Sequence, residues 1–351
     1  MNSFNLTNIL RPNIQKLVPY SSARSEFEGK ASVYLDANEN SMGSVLGQQY
    51  NRYPDPLQKI LKQGISKLKG VAAQNIFIGN GSDEPIDLLI RACCEPGKDN
   101  MLIFPPTYGM YEVAANINNV VVKSVLLMED FQLNTDAALK AIDKNTKLVF
   151  VCSPNNPSGN MMIEKDVEAL LKNFNGLVVL DEAYIDFAEN RSWLKSLSKY
   201  PNLVILQTFS KAWGMAALRI GMAFASVEII DVLNKIKAPY NINHATQEMA
   251  LHALTKEELV KEYVATILKE RDALINALKK YVFIKKIFPS DSNFVLLRVD
   301  NADKLYNYLV SRGIVVRNRS KVPMCENCLR ITVGTPDENV ILQSALNTYQ
   351  S

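Results

Sequence analysis

Between residues 75 and 225, short apolar runs alternate with stretches in which apolar residues recur at helical spacing. The runs at 75–79, 101–104, 120–127, 147–152, 176–180 and 203–206 read as strands, largely buried and bounded by polar or glycine-rich breaks. Ile86, Leu89 and Ile90 have the spacing of a helix face, with Pro85 in its first turn, where a missing N–H does no harm. Further helices are predicted from the turn after 105–109 through Ala114, over 133–142 and over 167–174. Repeated strand, loop and helix predict an α/β fold with a mostly parallel sheet and helices on both faces. After Ala225 the texture changes. Helices are predicted over 227–236, 245–254 and from Glu257 to about Tyr281. Strands at 294–299, 314–317 and 329–333 and helices at 302–312 and 338–349 follow, which reads as a smaller α+β domain. Upstream, residues 1–30 read as an extended arm packing with the small domain, 33–40 as a short strand, 52–56 as a proline-rich turn and 57–68 as a helix. The expected division is the arm at 1–30, a large domain at 31–240 and a small domain at 241–351.

Composition narrows the function classes. With 351 residues, 47% of them hydrophobic, the chain has ample core for one large and one smaller domain. The net charge of +3 is spread without a basic block, which argues against nucleic acid or an acidic membrane face as partner. No apolar run reaches transmembrane length, and residues 1–7 lack a signal-peptide pattern, so a cytoplasmic location is expected. Five cysteines, an odd number, suggest reduced thiols. Cys325 and Cys328 form half of a zinc pattern with no second pair nearby, and with only His244 and His252 in the chain, multi-histidine metal sites are not expected.

Candidate chemistry lies just past the predicted strands. Ser82, Tyr108, Asn156, Asp181 and Lys211 each follow a strand, and ligands of such sheets bind beyond the carboxyl ends. A lysine there, partly desolvated and near other cations, has a lowered pKa and becomes a nucleophile. Ser210 and Arg219 offer a hydroxyl and a guanidinium fork to a phosphate. The loop with Gly81, Ser82 and Asp83 feeds a helix start, which suits either a phosphate site or an N-cap by Ser82 or Asp83. Asp83 more readily holds the loop. Tyr108 either covers a flat ligand or packs in the core. Asp181 beside a protonated pyridine nitrogen would make that ring an electron sink, with Lys211 joined to its aldehyde and then acting as base, and with Asn156 and Tyr184 reaching a ring hydroxyl. Together these describe a pyridoxal 5'-phosphate site.

The motifs Ser-Pro-Asn-Asn-Pro-Ser-Gly at 153–159, Asp-Glu-Ala-Tyr at 181–184 and Ser-Lys-Ala-Trp at 210–213, with Arg219, resemble the fold-type-I pyridoxal-phosphate aminotransferases. Leu-Asp-Ala-Asn-Glu-Asn at 35–40, Arg-Tyr-Pro-Asp-Pro at 52–56, Gly-Asn-Gly-Ser-Asp-Glu at 79–84, Cys-Leu-Arg-Ile-Thr-Val-Gly-Thr at 328–335 and the segment 17–24 resemble the histidinol-phosphate aminotransferase family. The likeness runs through nearly the whole chain. It implies transamination of histidinol phosphate with 2-oxoglutarate in histidine biosynthesis. It further implies that Lys211 bonds the cofactor, Asp181 pairs with the pyridine nitrogen, Tyr108 stacks on the ring, and Asn156 and Tyr184 contact the ring oxygen. A homodimer is implied, with Tyr53 reaching the other subunit's cofactor phosphate. Substrate would be held by Tyr20, Asn38, Arg317 and Arg330, the last suiting either a phosphate or a carboxylate. Ser158 stands where threonine is commoner and Trp213 where phenylalanine is frequent; both leave the chemistry untouched. The alternatives are an aromatic amino-acid aminotransferase, a phospho-amino-acid decarboxylase of the same fold, or a cofactor-binding regulatory domain without turnover.

Overall fold

The computed structural model describes residues 4–20, 31–47 and 50–350. Two sheets organise them. The larger has seven strands: β1 (Ile76–Asn80), β2 (Asn100–Ile103), β3 (Val121–Ser124), β4 (Thr146–Cys152), β5 (Leu177–Asp181), β6 (Leu203–Thr208) and β7 (Ile220–Phe224), in the spatial order β1-β7-β6-β5-β4-β2-β3. β7 runs antiparallel to both neighbours, and the other pairings are parallel. The carboxyl ends of β1, β2, β4, β5 and β6 therefore share one edge with the start of β7.

Helices cover both faces: α1 (Pro12–Lys16), α2 (Lys59–Lys69), α3 (Asp83–Cys93), α4 (Met110–Ile117), α5 (Thr135–Ala141), α6 (Glu164–Asn173), α7 (Val227–Ile236) and α8 (His244–Leu254). Strand alternation divides the core in two. Ile76, Ile78, Val149, Val151, Val178 and Leu180 join one apolar cluster, whereas Phe77, Leu148, Phe150, Leu177 and Val179 join the other. Burial on both faces explains why these strands read as continuous apolar runs. α8 packs onto α2 through Ala250, so the core of the large sheet continues past residue 240.

The smaller sheet has the order β10-β11-β9-β8 and is antiparallel throughout, from β8 (Ile284–Ile287), β9 (Phe294–Val299), β10 (Arg317–Asn318) and β11 (Cys328–Thr332). One face packs Val295, Leu297, Leu329 and Ile331 against α9 (Glu257–Leu278), α10 (Ala302–Ser311) and α11 (Pro336–Asn347). α11 starts with Pro336 in its first turn and a capping box between Thr335 and Glu338. The other face of β9 and β11 turns toward the large sheet, with Leu296 and Cys328 in its core cluster.

Several expectations are corrected. Residues 4–16 are not an extended arm on the small domain. They form a 3-10 turn (Leu6–Asn8) and α1, with Ile9 buried in the cluster of α3 and α7 and Arg11 paired to Glu95 at 3.2 Å. Apolar side chains at Phe4, Leu6, Ile9 and Leu10 decide this, because the large domain offers them a core to join. Residues 21–30 of the expected arm lie outside the described residues. Segment 33–40 is irregular rather than a strand, with Asn38 at φ 55° and, among the described residues, no neighbouring strand to complete its backbone pairing. The strand expected over 314–317 is confined to Arg317–Asn318, and β8, too short and too charged to stand out, was not expected at all. All five cysteines are free and buried. Among the described residues no helix is long and apolar enough to cross a membrane.

Candidate active site

Residues from six strand ends meet along the shared edge. After β1 the chain turns at Gly81, whose φ of 70° favours glycine, and its N–H donates to Arg219 O at 2.7 Å. A Cβ on Gly81 would sit 2.7 Å from Arg219 Nη2. Ser82 occupies the N-cap of α3 but makes no side-chain capping bond. The first-turn N–H groups are thus left facing the site with the positive end of the helix dipole. Asp83 holds the loop: Tyr108 Oη donates to its Oδ1 at 3.0 Å, and Arg219 Nη2 lies 3.2 Å from its Oδ2. Arg219 enters from the opposite direction, in the left-handed region at φ 54°, because β7 is reversed. Ser210 stands beside it, its hydroxyl 2.9 Å from Thr208 Oγ1.

Asp181 ends β5 and is 2% exposed. Tyr111 Oη donates to its Oδ2 at 2.6 Å and Ala183 N–H to its Oδ1 at 3.0 Å. Burial pushes its carboxyl up to about 6 against the pull of those bonds. Neighbouring Glu182, also buried, is pushed up to about 7 for the same reason, although Ser192, Trp193 and Gln207 donate to it. Lys211 lies along the open side of the cleft, 5.5 Å from the centre of the Tyr184 ring. Heavy atoms crowd its ammonium enough that burial, and next the charge of Arg330, lower its pKa. Tyr184 is buried edge-on against Phe294, and burial raises its hydroxyl to about 12, opposed by Arg330.

The small sheet closes the cleft. Arg330 is half-buried, stacks 5.0 Å above the Phe294 ring and donates from Nη1 to Asn156 Oδ1. Asn156 is thereby bridged to β11 as well as standing after β4. Arg317 pairs directly opposite Arg330 in the ladder and is exposed. Three expected residues are not drawn into this cluster. Tyr20 is 76% exposed, Asn38 is exposed, and Tyr53, 51% exposed, stacks on Tyr240 at 4.5 Å. Sequence reasoning missed Tyr111 and Thr208. Tyr111 stands almost one helical turn beyond Tyr108, a spacing that carries both rings toward the same strand edge, and this signal was available. Thr208 had none, since besides Ser210 its partner is the Ile220 carbonyl of the reversed strand.

Residues 27–346 match the family described as aminotransferase class I and II. The chain belongs to that family. It is accordingly a pyridoxal-phosphate-dependent aminotransferase. A histidinol-phosphate aminotransferase of Cytophaga hutchinsonii is 56% identical over 347 residues, covering 99% of this chain and 100% of the relative. Among solved structures, the histidinol-phosphate aminotransferase of Clostridium acetobutylicum is 27% identical with a TM-score of 0.78, covering 85% of this chain and 90% of its own. The histidinol-phosphate aminotransferase of Sinorhizobium meliloti in complex with pyridoxal-5'-phosphate shares the fold at a TM-score of 0.77 and 24% identity, over 95% of both chains.

Proposed function

We propose that this chain transfers the amino group of L-histidinol phosphate to 2-oxoglutarate, giving imidazole-acetol phosphate and glutamate in histidine biosynthesis, as a cytoplasmic homodimer with shared sites. The observation that carries the substrate class is Arg317 opposite Arg330 at the cleft, with no carboxylate bonded to either among the described residues. Like charges held directly across a ladder are destabilising until an anion joins them. The full-length relatives bearing this activity's name support the same substrate.

The residues present fit the cofactor. The uncapped start of α3, Ser210 and Arg219 suit a phosphate ester, and Asp181 is a buried carboxylate with no cation bonded to it. When bound, pyridoxal phosphate supplies a reactive aldehyde and a ring that takes up the electrons of a broken C–H bond. Asp181 would keep a proton on the ring nitrogen, and Tyr111 fixes the carboxylate's orientation. Lys211, its pKa lowered, would take the proton from the amine-bearing carbon of the donor and deliver it to the carbon that had been the cofactor's aldehyde, and the second half-reaction would run the same transfer in reverse. Tyr108 would cover the ring, and Asn156 and Tyr184 would hold it through its hydroxyl. Arg330 grips whichever anion the substrate brings, phosphate from one and carboxylate from the other. Tyr20 and Asn38, exposed and apart from the cluster in the single chain, would join the pocket when the dimer and substrate are in place. Exposed Val33, Leu35, Met42, Val45, Leu46 and Ile60 lie in one stretch that a second copy would cover, bringing Tyr53 to the other subunit's site.

The test is a donor comparison with the pure protein, pyridoxal phosphate and 2-oxoglutarate, scoring glutamate formed. The kcat/KM for histidinol phosphate is expected to exceed those for phenylalanine and tyrosine by about 100-fold or more, since a single carboxylate pairs Arg330 and Arg317 less completely than a phosphate dianion does. Comparable rates on the aromatic donors, or carbon dioxide released from a phosphorylated amino acid without 2-oxoglutarate, would overturn the assignment.

A further inference from the structure

β10 continues beyond its last paired residue, because Arg319 N–H donates to Cys328 O at 2.8 Å. Side chains alternate along an extended strand, so Arg317 and Arg319 share a face, and the register puts Arg330 on that face too. It is the face turned toward Phe294 and Tyr184. Arg319 is close enough to feel both neighbours: after burial, the charges of Arg330 and Arg317 are what depress its guanidinium. Among the described residues no carboxylate is bonded to any of the three. The Nε groups of Arg319 and Arg330 are buried without an acceptor, and so is the hydroxyl of Ser320, one residue on. Buried donors left unpaired and cations left facing each other both cost stability. A ligand carrying several acceptor oxygens and about two negative charges would satisfy them together.

We propose that Arg319 is a specificity-determining residue. With Arg317 and Arg330 it forms a three-guanidinium subsite that selects a phosphate monoester dianion over a carboxylate at the far end of the substrate. This rests on the transamination proposed above and assigns within it the residue that discriminates the two partners. Arg330 serves both anions, and Arg319 adds the charge that only the phosphate uses in full.

The experiment compares wild-type holoenzyme with Arg319→Gln and Arg319→Lys. Arg319→Gln should raise KM for histidinol phosphate at least about tenfold, the usual worth of a hydrogen bond to a charged group. Its kcat, its KM for glutamate and its kcat/KM for dephosphorylated L-histidinol should each stay within about twofold. Arg319→Lys, which keeps the charge but not the fork, should lose less. Inorganic phosphate, titrated calorimetrically into each holoenzyme, should bind more weakly to Arg319→Gln by a factor similar to the KM change. Unchanged phosphate affinity, or equal losses on histidinol phosphate and glutamate, would overturn the subsite. If the wild type fails to transaminate histidinol phosphate, the reaction assignment falls, while the phosphate titration still decides Arg319. If Arg319→Gln does not fold, the Arg319→Lys titration decides in the same way.

Discussion

At Asp181, burial favours the protonated acid while the Tyr111 hydroxyl, ahead of the Ala183 N–H, favours the carboxylate. Tyr111→Phe removes the stronger of the two bonds without changing the packing on Phe150, 4.9 Å away. The acid limb of the kcat/KM–pH profile should then move upward by about one unit, with activity lost at neutral pH and partly regained at higher pH. An unmoved limb would show that Tyr111 only fills space. The same burial has a consequence for folding of the cofactor-free protein. Asp181 at about 6 and Glu182 at about 7 both lie above their unfolded values, so the native state binds these protons more tightly. Their contribution is complete below about pH 4 and is lost as pH rises to about 7. Asp181→Asn removes its share, on the order of 3 kcal/mol from a shift of about two units. Urea midpoints of the cofactor-free proteins at pH 5 and pH 8 should therefore differ less in Asp181→Asn than in wild type. Equal differences would mean that solvent reaches this carboxylate.

Among the elements, the reversed strand β7 shapes the site. Its antiparallel course delivers Arg219 to the same edge as the carboxyl ends of its neighbours and presses Gly221 against the turn after β1. A Cβ on Gly221 would lie 2.2 Å from both Gly81 C and Ser82 N, backbone atoms that cannot swing aside. Gly221→Ala should displace the start of α3 and weaken pyridoxal-phosphate retention at least about tenfold, read from cofactor dissociation. Gly70→Ala is the control. It has left-handed φ of 67° but open space around it, so it should cost about 1 kcal/mol of stability and leave the cofactor untouched. Equal cofactor affinity in the two variants would remove the close approach of β7 from the account.

For the whole molecule, the position of Tyr53 bears on assembly. Its ring is half open to solvent beside Tyr240, between the exposed apolar residues 33–46 and Ile60, rather than against Lys211 of its own chain. Lys211→Ala should be inactive and Tyr53→Ala strongly impaired. Heterodimers formed by subunit exchange should recover part of the wild-type rate, because one of their two sites receives both residues intact. Proven heterodimers without recovery would assign Tyr53 to its own subunit.

Sequence alone determined the alternating α/β order, the strand ends that carry Asp181, Asn156 and Lys211, and the glycine-containing turn before α3. Those features are local: apolar runs long enough for strands, breaks rich in proline and glycine, and chemistry-bearing side chains immediately after them. The family followed from the same short segments. Tertiary structure decided whatever depends on which elements become neighbours. The direction of β7 brought Arg219 to the shared edge and the Ile220 carbonyl onto the Thr208 hydroxyl, and the packing of α4 put Tyr111 on Asp181. The register of β10 against β11 aligned Arg317, Arg319 and Arg330 on one face, and no periodicity within either strand foretells it. The N-terminal residues went to the large domain because an apolar face there was free to receive Ile9. A chain encodes its local conformations residue by residue, but pairings between distant segments are settled by burial and hydrogen bonding in the folded whole.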